Sequence, residues 1–334
     1  MQKKRILIIG NYTPDGGGIS QVINLQMKVF DQYLIDYTLF NTKKKPLERL
    51  VLFFKLPKQI KSFDLVHVHC CSGLGFYPLI LTVISNLLNK RKICVSYHGG
   101  QASTFFKNHM FWVKLFFNKV DTIFVMSNFL VEIFNTYSLR TVLLKNPIEF
   151  ELSNRKIFTN NQIHFLSLRS HEEIYNIELI VDAFKSLTLH YDNLFLSIVG
   201  KGSKSNEIKD KSLGFSNINF IGHVGREELK HLLNSTDVVV SVPSFDNQPM
   251  SILEGIATNN VIITSDVGGV RDLIPSDEFG VLVKPNNLED LIFKMKKIVQ
   301  NPHHYIHVAD NAKKILENHS IDCFYKTLMK YYNR

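Results

Sequence analysis

Several familiar signatures are missing from these 334 residues. No Gly-x-Gly-x-x-Gly occurs, so the dinucleotide fingerprint of a nicotinamide oxidoreductase is absent. No Asp-x-Asp occurs either, so a divalent metal on a diphosphate is not indicated, and neither metal nor other cofactor is expected. Cysteine is scarce: Cys70 and Cys71 are adjacent, Cys94 and Cys323 are isolated, and there is no Cys-x-x-Cys. That pattern argues against a disulfide framework and suits reduced thiols in the cytoplasm. The start "MQKKRILIIG" runs straight into a strand with no apolar leader region, so no signal peptide is expected. The longest apolar stretch, "GFYPLILTVISNLLNK", is short and interrupted by Ser and Thr. It reads as a core helix and not as a membrane span.

Acid is scarce in one half only. Residues 1–150 hold 19 Lys+Arg against 8 Asp+Glu, a net of +11, whereas residues 151–334 hold 20 against 22, a net of −2. Such an asymmetry points to an anionic surface or substrate facing the first half. A chain of this length and 45% hydrophobic content can bury two cores.

Short apolar runs alternate with helical patterns throughout. "RILIIG", "YTLF", "DLVHVH", "KICVSYH", "TIFVMS" and "TVLLKN" predict strands in the first half. "IHFLSL", "LFLSIVG", "INFIG", "DVVVSV", "VIITSD" and "GVLVKP" predict strands in the second. This α/β alternation implies parallel sheets covered by helices on both faces. The break falls near "NPIEFELSNRK". Two Rossmann-like domains with a cleft between them are expected, spanning 1–150 and 151–315, with a C-terminal helix in 316–334 packing back on the first. Ligands of such sheets bind beyond the carboxyl ends of the strands.

The residues at those strand ends are the candidates. Gly16, Gly17 and Gly18 precede a helix, where free amides and the helix dipole suit an anion; the plain alternative is a flexible turn. His67 and His69 share one face of a strand but lack further metal ligands at suitable spacing, so packing or cleft lining is the better reading. His98 ends a strand before Gly99 and Gly100 and can stand in the cleft, or serve as a turn histidine. Arg169 ends another strand, and its forked, permanently charged donors suit phosphate oxygens as well as solvent. Lys201 lies between Gly200 and Gly202.

The stretch "SVPSFDNQPMSILEGIATNNVIITSDVGGVRDLI" carries two acids, Asp246 and Glu254, at a strand-to-helix joint. One account makes Ser251 the N-cap and Glu254 its capping-box acid. The other gives the amides of Met250, Ser251 and Ile252 to a diphosphate and Glu254 to ribose hydroxyls.

With "PSFDNQPMSILEGIATNNVIITSDVGG", "GGGISQV", "HVH", "YHGG", "VMSNF" and "KNPIE" in place, the chain resembles the retaining GT-B glycosyltransferases of family four, the glycosyl transferases group 1. The resemblance covers nearly the whole chain and is strongest over 196–300. It implies the GT-B fold, two Rossmann-like domains facing each other across a cleft, with the nucleotide sugar on the second and the acceptor on the first. It implies that Glu254 binds the donor ribose, and that Arg169 and the amides of Met250 to Ile252 bind the diphosphate. His98 and the Gly16 to Gly18 loop would approach the transferred sugar, with Asp246 holding it from the opposite side. The family has Glu where Asp246 stands, and Lys-Gly where this chain has Tyr175-Asn176. Arg169, assisted by Lys201, would then carry the leaving-group charge.

A UDP-sugar is the favoured donor, and the basic first half favours a lipid-linked or growing glycan acceptor in bacterial surface polysaccharide or lipopolysaccharide synthesis. "KKKPLERLVLFFKLPKQIK" and "FFKNHMFWVKLFFNKV" mix lysine with Phe and Trp112. They suit an anionic membrane surface, or core helices with snorkelling lysines. The charge asymmetry favours a peripheral enzyme at the inner face of the cell membrane, with no nucleic-acid partner. An NDP-sugar 2-epimerase and a nucleotide-binding member of weak activity are the alternatives.

Overall fold

The twelve apolar runs form twelve strands among the described residues, which in this computed structural model are 4–14 and 16–334. The chain divides into two compact units, 1–147 with 319–334, and 148–318.

The first unit runs β1 (Ile6–Gly10), α1 (Ile19–Gln32), β2 (Tyr37–Asn41), α2 (Pro46–Ile60), β3 (Leu65–Cys70), α3 (Tyr77–Asn86), β4 (Lys92–Tyr97), α4 (Ala102–Phe117), β5 (Thr122–Val125), α5 (Asn128–Thr136) and β6 (Val142–Leu143). Its strands are parallel in the order β2-β1-β3-β4-β5-β6. Side chains alternate across a strand, so Leu7 and Ile9 enter one core while Ile6 and Ile8 enter the other. Both faces are covered, so β1 and β3 are buried along their whole length, β1 as an unbroken apolar run and β3 with His67 and His69 among its apolar residues. β2, at the sheet edge, is only partly buried.

The second unit runs β7 (Ile163–Leu168), α6 (Ile177–Thr188), β8 (Leu194–Val199), α7 (Ser205–Lys211), β9 (Ile218–Gly222), α8 (Arg226–Asn234), β10 (Val238–Ser241), α9 (Met250–Ala257), β11 (Val261–Ser265), β12 (Val281–Val283), α10 (Leu288–Gln300) and α11 (Pro302–Ala312). Its parallel order is β12-β11-β10-β7-β8-β9. After α11 the chain returns to the first unit as α12 (Ile321–Tyr332). Phe324, Leu328 and Tyr332 recur every four residues on that helix, one stripe facing a core with Ile6, Ile8, Phe30 and Phe124.

The stretch predicted as a core helix becomes a 3-10 turn over 73–76 followed by α3, and no described helix is long and apolar enough to cross a membrane. α2 and α4 pack on the same face of the first sheet through Leu52, Leu56, Val113 and Phe117. Their outer sides leave Phe54 77%, Phe111 70% and Trp112 55% exposed.

Candidate functional site

In the second unit β7 and β10 lie side by side, yet the chain leaves β7 toward β8 and β10 toward β11, on opposite sides. Such a reversal opens a crevice at the carboxyl ends of the two strands. Arg169 follows β7 and Asp246 lies on the loop after β10, so the two meet across it. An Arg169 Nη2–H donates to Asp246 Oδ2 at 2.6 Å and an Nη1–H to Ser251 Oγ at 3.2 Å. The guanidinium lies 4.1 Å from the centre of the Tyr175 ring. Burial opposes its charge, but Asp246 and Tyr175 outweigh that penalty and hold the pKa above the ordinary arginine value. Asp246 Oδ1 also accepts the Asn247 N–H at 2.8 Å. The residues expected in separate roles, phosphate clamp and sugar holder, are therefore partners in one ion pair.

Tyr175 closes a 3-10 turn over 173–175, and Asn176 after it is left-handed at φ 50, ψ 41. Asn tolerates that region nearly as Gly does. Its amide donates to Val242 O at 2.9 Å and Asn286 Oδ1 at 2.8 Å, and the Ser244 N–H donates to Ile174 O at 2.7 Å. The loop bearing Asp246 is thus laced to the turn bearing Tyr175.

The capping box is not formed. Pro249 is the N-cap of α9 and no side chain caps it, so Ser251 is the second helical residue and Glu254 the fifth. Proline suits a helix entry because it has no N–H to satisfy. The Ile252 N–H donates to Pro249 O at 3.2 Å, and the Met250 and Ser251 amides stand at the helix start beside it. Glu254 is buried, and its Oε1 accepts from Arg226 Nη1. Arg226 opens α8, lies 4.3 Å over the Phe150 ring and sits 3.6 Å from Glu149 Oε2.

The Gly200–Lys201–Gly202 turn is dictated by packing. A Cβ on Gly200, at φ +136, would fall 2.1 Å from Arg169 O, and one on Gly202 would fall 2.4 Å from His171 O. Lys201 is exposed, and its carbonyl accepts the His171 N–H at 3.1 Å.

In the first unit Gly18 is the N-cap of α1 at φ 56, a conformation that favours glycine, and a Cβ on Gly17 or Gly18 would meet open space. His98 follows β4 and is half-buried; its Nε2 meets His69 Nδ1 at 2.9 Å. His67 and His69 spend their ring nitrogens on neighbouring side chains. Among the described residues no group of three or more His, Cys, Asp or Glu is placed to hold a metal ion. Burial lowers the pKa of His67 and His98 to about 3 and that of His69 well below its usual value, with neighbouring histidine charge adding to the shift for His67 and His69.

Residues 149–315, half of the chain and the whole of the crevice just described, match the family of glycosyl transferases group 1. The chain belongs to that family. The likeness to a Staphylococcus aureus poly(ribitol-phosphate) alpha-N-acetylglucosaminyltransferase is 22% over 315 residues, covering 89% of this chain and 61% of the relative. A Campylobacter jejuni N,N'-diacetylbacillosaminyl-diphospho-undecaprenol alpha-1,3-N-acetylgalactosaminyltransferase is 25% identical over 157 residues, 46% of this chain and 41% of the relative. The chain spans about half the length, or less, of several curated relatives it matches. Anabaena HepE, solved with UDP and glucose, superposes with a TM-score of 0.79 at 14% identity over 99% of each chain. The two doubly wound units are those of the GT-B class.

Three residues escaped the reading of strand ends. Arg226 sits in "GREELKHLL", which looks like a solvated helix start. Gln26 and Tyr332 look like ordinary helix residues, and only the fold brings them together, 3.1 Å apart. The four-residue spacing of Phe324, Leu328 and Tyr332 was the available signal for a buried face on α12.

Proposed function

We propose that this glycosyltransferase transfers a hexose, with retention at the anomeric carbon, from a UDP-sugar to a lipid-linked or growing glycan in the synthesis of a bacterial surface polysaccharide or lipopolysaccharide. The carrying observation is the cluster at the β7/β10 crevice, where Arg169, Ser251 and Asp246 meet at the start of α9. As the sugar–phosphate bond breaks, negative charge grows on the diphosphate and positive charge on the sugar. A fixed guanidinium, the Met250 and Ser251 amides and the α9 dipole all oppose that negative charge, the largest contribution such a site offers. Lys201 stands exposed on the adjacent turn and adds positive potential.

Glu254 receives the ribose hydroxyls, with Arg226 holding its carboxylate. Asp246 bears on the sugar while anchoring Arg169. Of the first unit's residues, His98 and the Gly16 to Gly18 loop are assigned to the transferred sugar. No metal or cofactor is invoked. HepE, crystallised with UDP and glucose, supports a uridine donor. The S. aureus and C. jejuni relatives, named for polyribitol phosphate and a diphospho-undecaprenol glycan, support an anionic surface-glycan acceptor. Exposed Phe54, Phe111 and Trp112 beside exposed Lys55 and Lys107 support docking at the inner face of the cell membrane. Incubation with radiolabelled UDP-, GDP- and dTDP-sugars and a membrane extract tests the reading. Label should enter the lipid fraction from a UDP-sugar; hydrolysis alone, or transfer from another nucleotide only, would refute it.

A further inference from the structure

A line of buried polar side chains crosses the first unit from His98 to α12. His98 Nε2 meets His69 Nδ1 at 2.9 Å, and His69 Nε2 meets Gln26 Oε1 at 2.7 Å. Gln26 Nε2 donates to the Tyr332 hydroxyl at 3.1 Å; that hydroxyl contacts His67 Nδ1, and His67 Nε2 meets Ser96 Oγ at 2.8 Å. Gln26, His67, His69 and Tyr332 are at most 1% exposed. The rings of His69 and His98 stack at 5.2 Å with planes 8° apart. Unpaired polar groups are costly at such depth, which explains why the line is continuous.

The line has a direction. A carboxamide oxygen only accepts, so the His69 Nε2 beside it carries the proton and His69 Nδ1 has a lone pair. His98 Nε2 must then donate to His69, which leaves His98 Nδ1 as an acceptor with no partner among the described residues. At the other end the Gln26 N–H donates to the Tyr332 oxygen, the Tyr332 O–H to His67 Nδ1, and His67 Nε2–H to Ser96. Every link pairs a donor with an acceptor, and the Gln26 amide nitrogen also lies 3.4 Å from His67 Nδ1, which accepts in this arrangement. Rotating the Gln26 amide would reverse them all and turn His98 Nδ1 into a donor.

We propose that Gln26, held by Tyr332, acts through His69 as a positioning residue that fixes His98 as its Nε2–H tautomer, so that His98 meets substrate as a neutral acceptor at Nδ1. The ligand that suits it is a hydroxyl that donates, such as one on the transferred sugar; this clause rests on the assignment of His98 to that sugar. The lowered histidine pKa values agree, because only neutral rings have a tautomer to fix.

The test uses the intact protein labelled with 15N-histidine, with His98 assigned by comparison with His98→Gln. Long-range 1H–15N spectra at pH 7 should show His98 protonated at Nε2. Gln26→Met removes the amide and should give a mixture of tautomers, whereas Gln26→Glu keeps an acceptor toward His69 and should preserve Nε2–H. Turnover should follow. Halving the competent tautomer costs about twofold in kcat and the lost hydrogen bond roughly fivefold more, with KM for the donor unchanged and Gln26→Glu recovering most of the loss. Tyr332→Phe removes the nearer of the two acceptors of the Gln26 amide, leaving His67 Nδ1 at 3.4 Å, so it should mix the tautomers in part and carries the same readout if Gln26→Met fails to fold. Protonation of His98 at Nδ1 in the wild type, or an unmixed Nε2–H signal in Gln26→Met, would overturn the proposal. Normal transfer by His98→Gln would overturn the sugar assignment and leave the tautomer result standing, so the two fail separately.

Discussion

Arg169→Met removes one charge from a pair whose side chains are only 11% and 17% exposed. Methionine retains the length and apolar bulk of the stem, so the change isolates the guanidinium. Stripping one partner from a buried ion pair costs about 3–5 kcal/mol, because the remaining charge stays desolvated. Asp246 keeps the Asn247 amide at 2.8 Å, which places the expected loss near the lower end, about 3 kcal/mol. For a body the size of residues 148–318, each kcal/mol shifts the melting temperature by about 2–4 °C, so a fall of about 6–12 °C is expected. Scanning calorimetry with urea titration would read it. The double variant Arg169→Met/Asp246→Leu should regain most of the loss, since no orphaned charge is left. The same measurement bears on activity: excess UDP should raise the wild-type transition and raise that of Arg169→Met far less. A cost below about 1 kcal/mol, the range of an exposed pair, would refute the reasoning. Arg169 would then be a solvated residue whose contact with Asp246 contributes little.

Glu254→Gln should weaken donor affinity about tenfold by calorimetry, since hydrogen bonds to a charged group are worth about 1.5–3 kcal/mol. Unchanged affinity with a lowered melting temperature would show that Glu254 serves only to hold Arg226. The buried histidines predict acid sensitivity. The unfolded chain takes up protons from about pH 6.5 that the folded rings refuse until about pH 3, so stability should fall as pH drops through that window. The slope is about 1.4 kcal/mol per pH unit for each such ring, and urea midpoints that stay flat between pH 7 and 5 would contradict it. Replacing Lys43, Lys44 and Lys45 by Gln should move the protein from anionic vesicles to the supernatant, at about 1 kcal/mol per lysine, without altering donor binding. Equal sedimentation of the wild type with neutral and anionic vesicles at low salt would sink the membrane reading.

The strands were legible because parallel sheets covered on both faces need unbroken apolar runs, and "RILIIG" and "DVVVSV" can be little else. Residues at their carboxyl ends follow at once, and Arg169, Asp246 and His98 become candidates that way, with Glu254 on the helix that follows. What these residues bond to was not legible. Arg169 and Asp246 are 77 positions apart and meet only because β7 and β10 are neighbours, a fact of strand order that no local pattern carries. Gln26 and Tyr332 are 306 positions apart for the same reason. The capping box failed differently. Ser251 and Glu254 have the right spacing, but Pro249 starts the helix two residues before Ser251 and moves both out of register.

The last helix has a consequence for how the protein is made. A nascent chain emerges from its N-terminus, and domains tend to close as they appear. Here the first unit cannot do so: Ile6, Ile8 and Phe124 line a core completed by Phe324, Leu328 and Tyr332. The second unit can complete its own sheet while the ribosome is still at work, and the first must hold an open apolar face until α12 arrives. The histidine line reaches Tyr332 only at that moment, so the wiring of His98 is among the final steps of maturation.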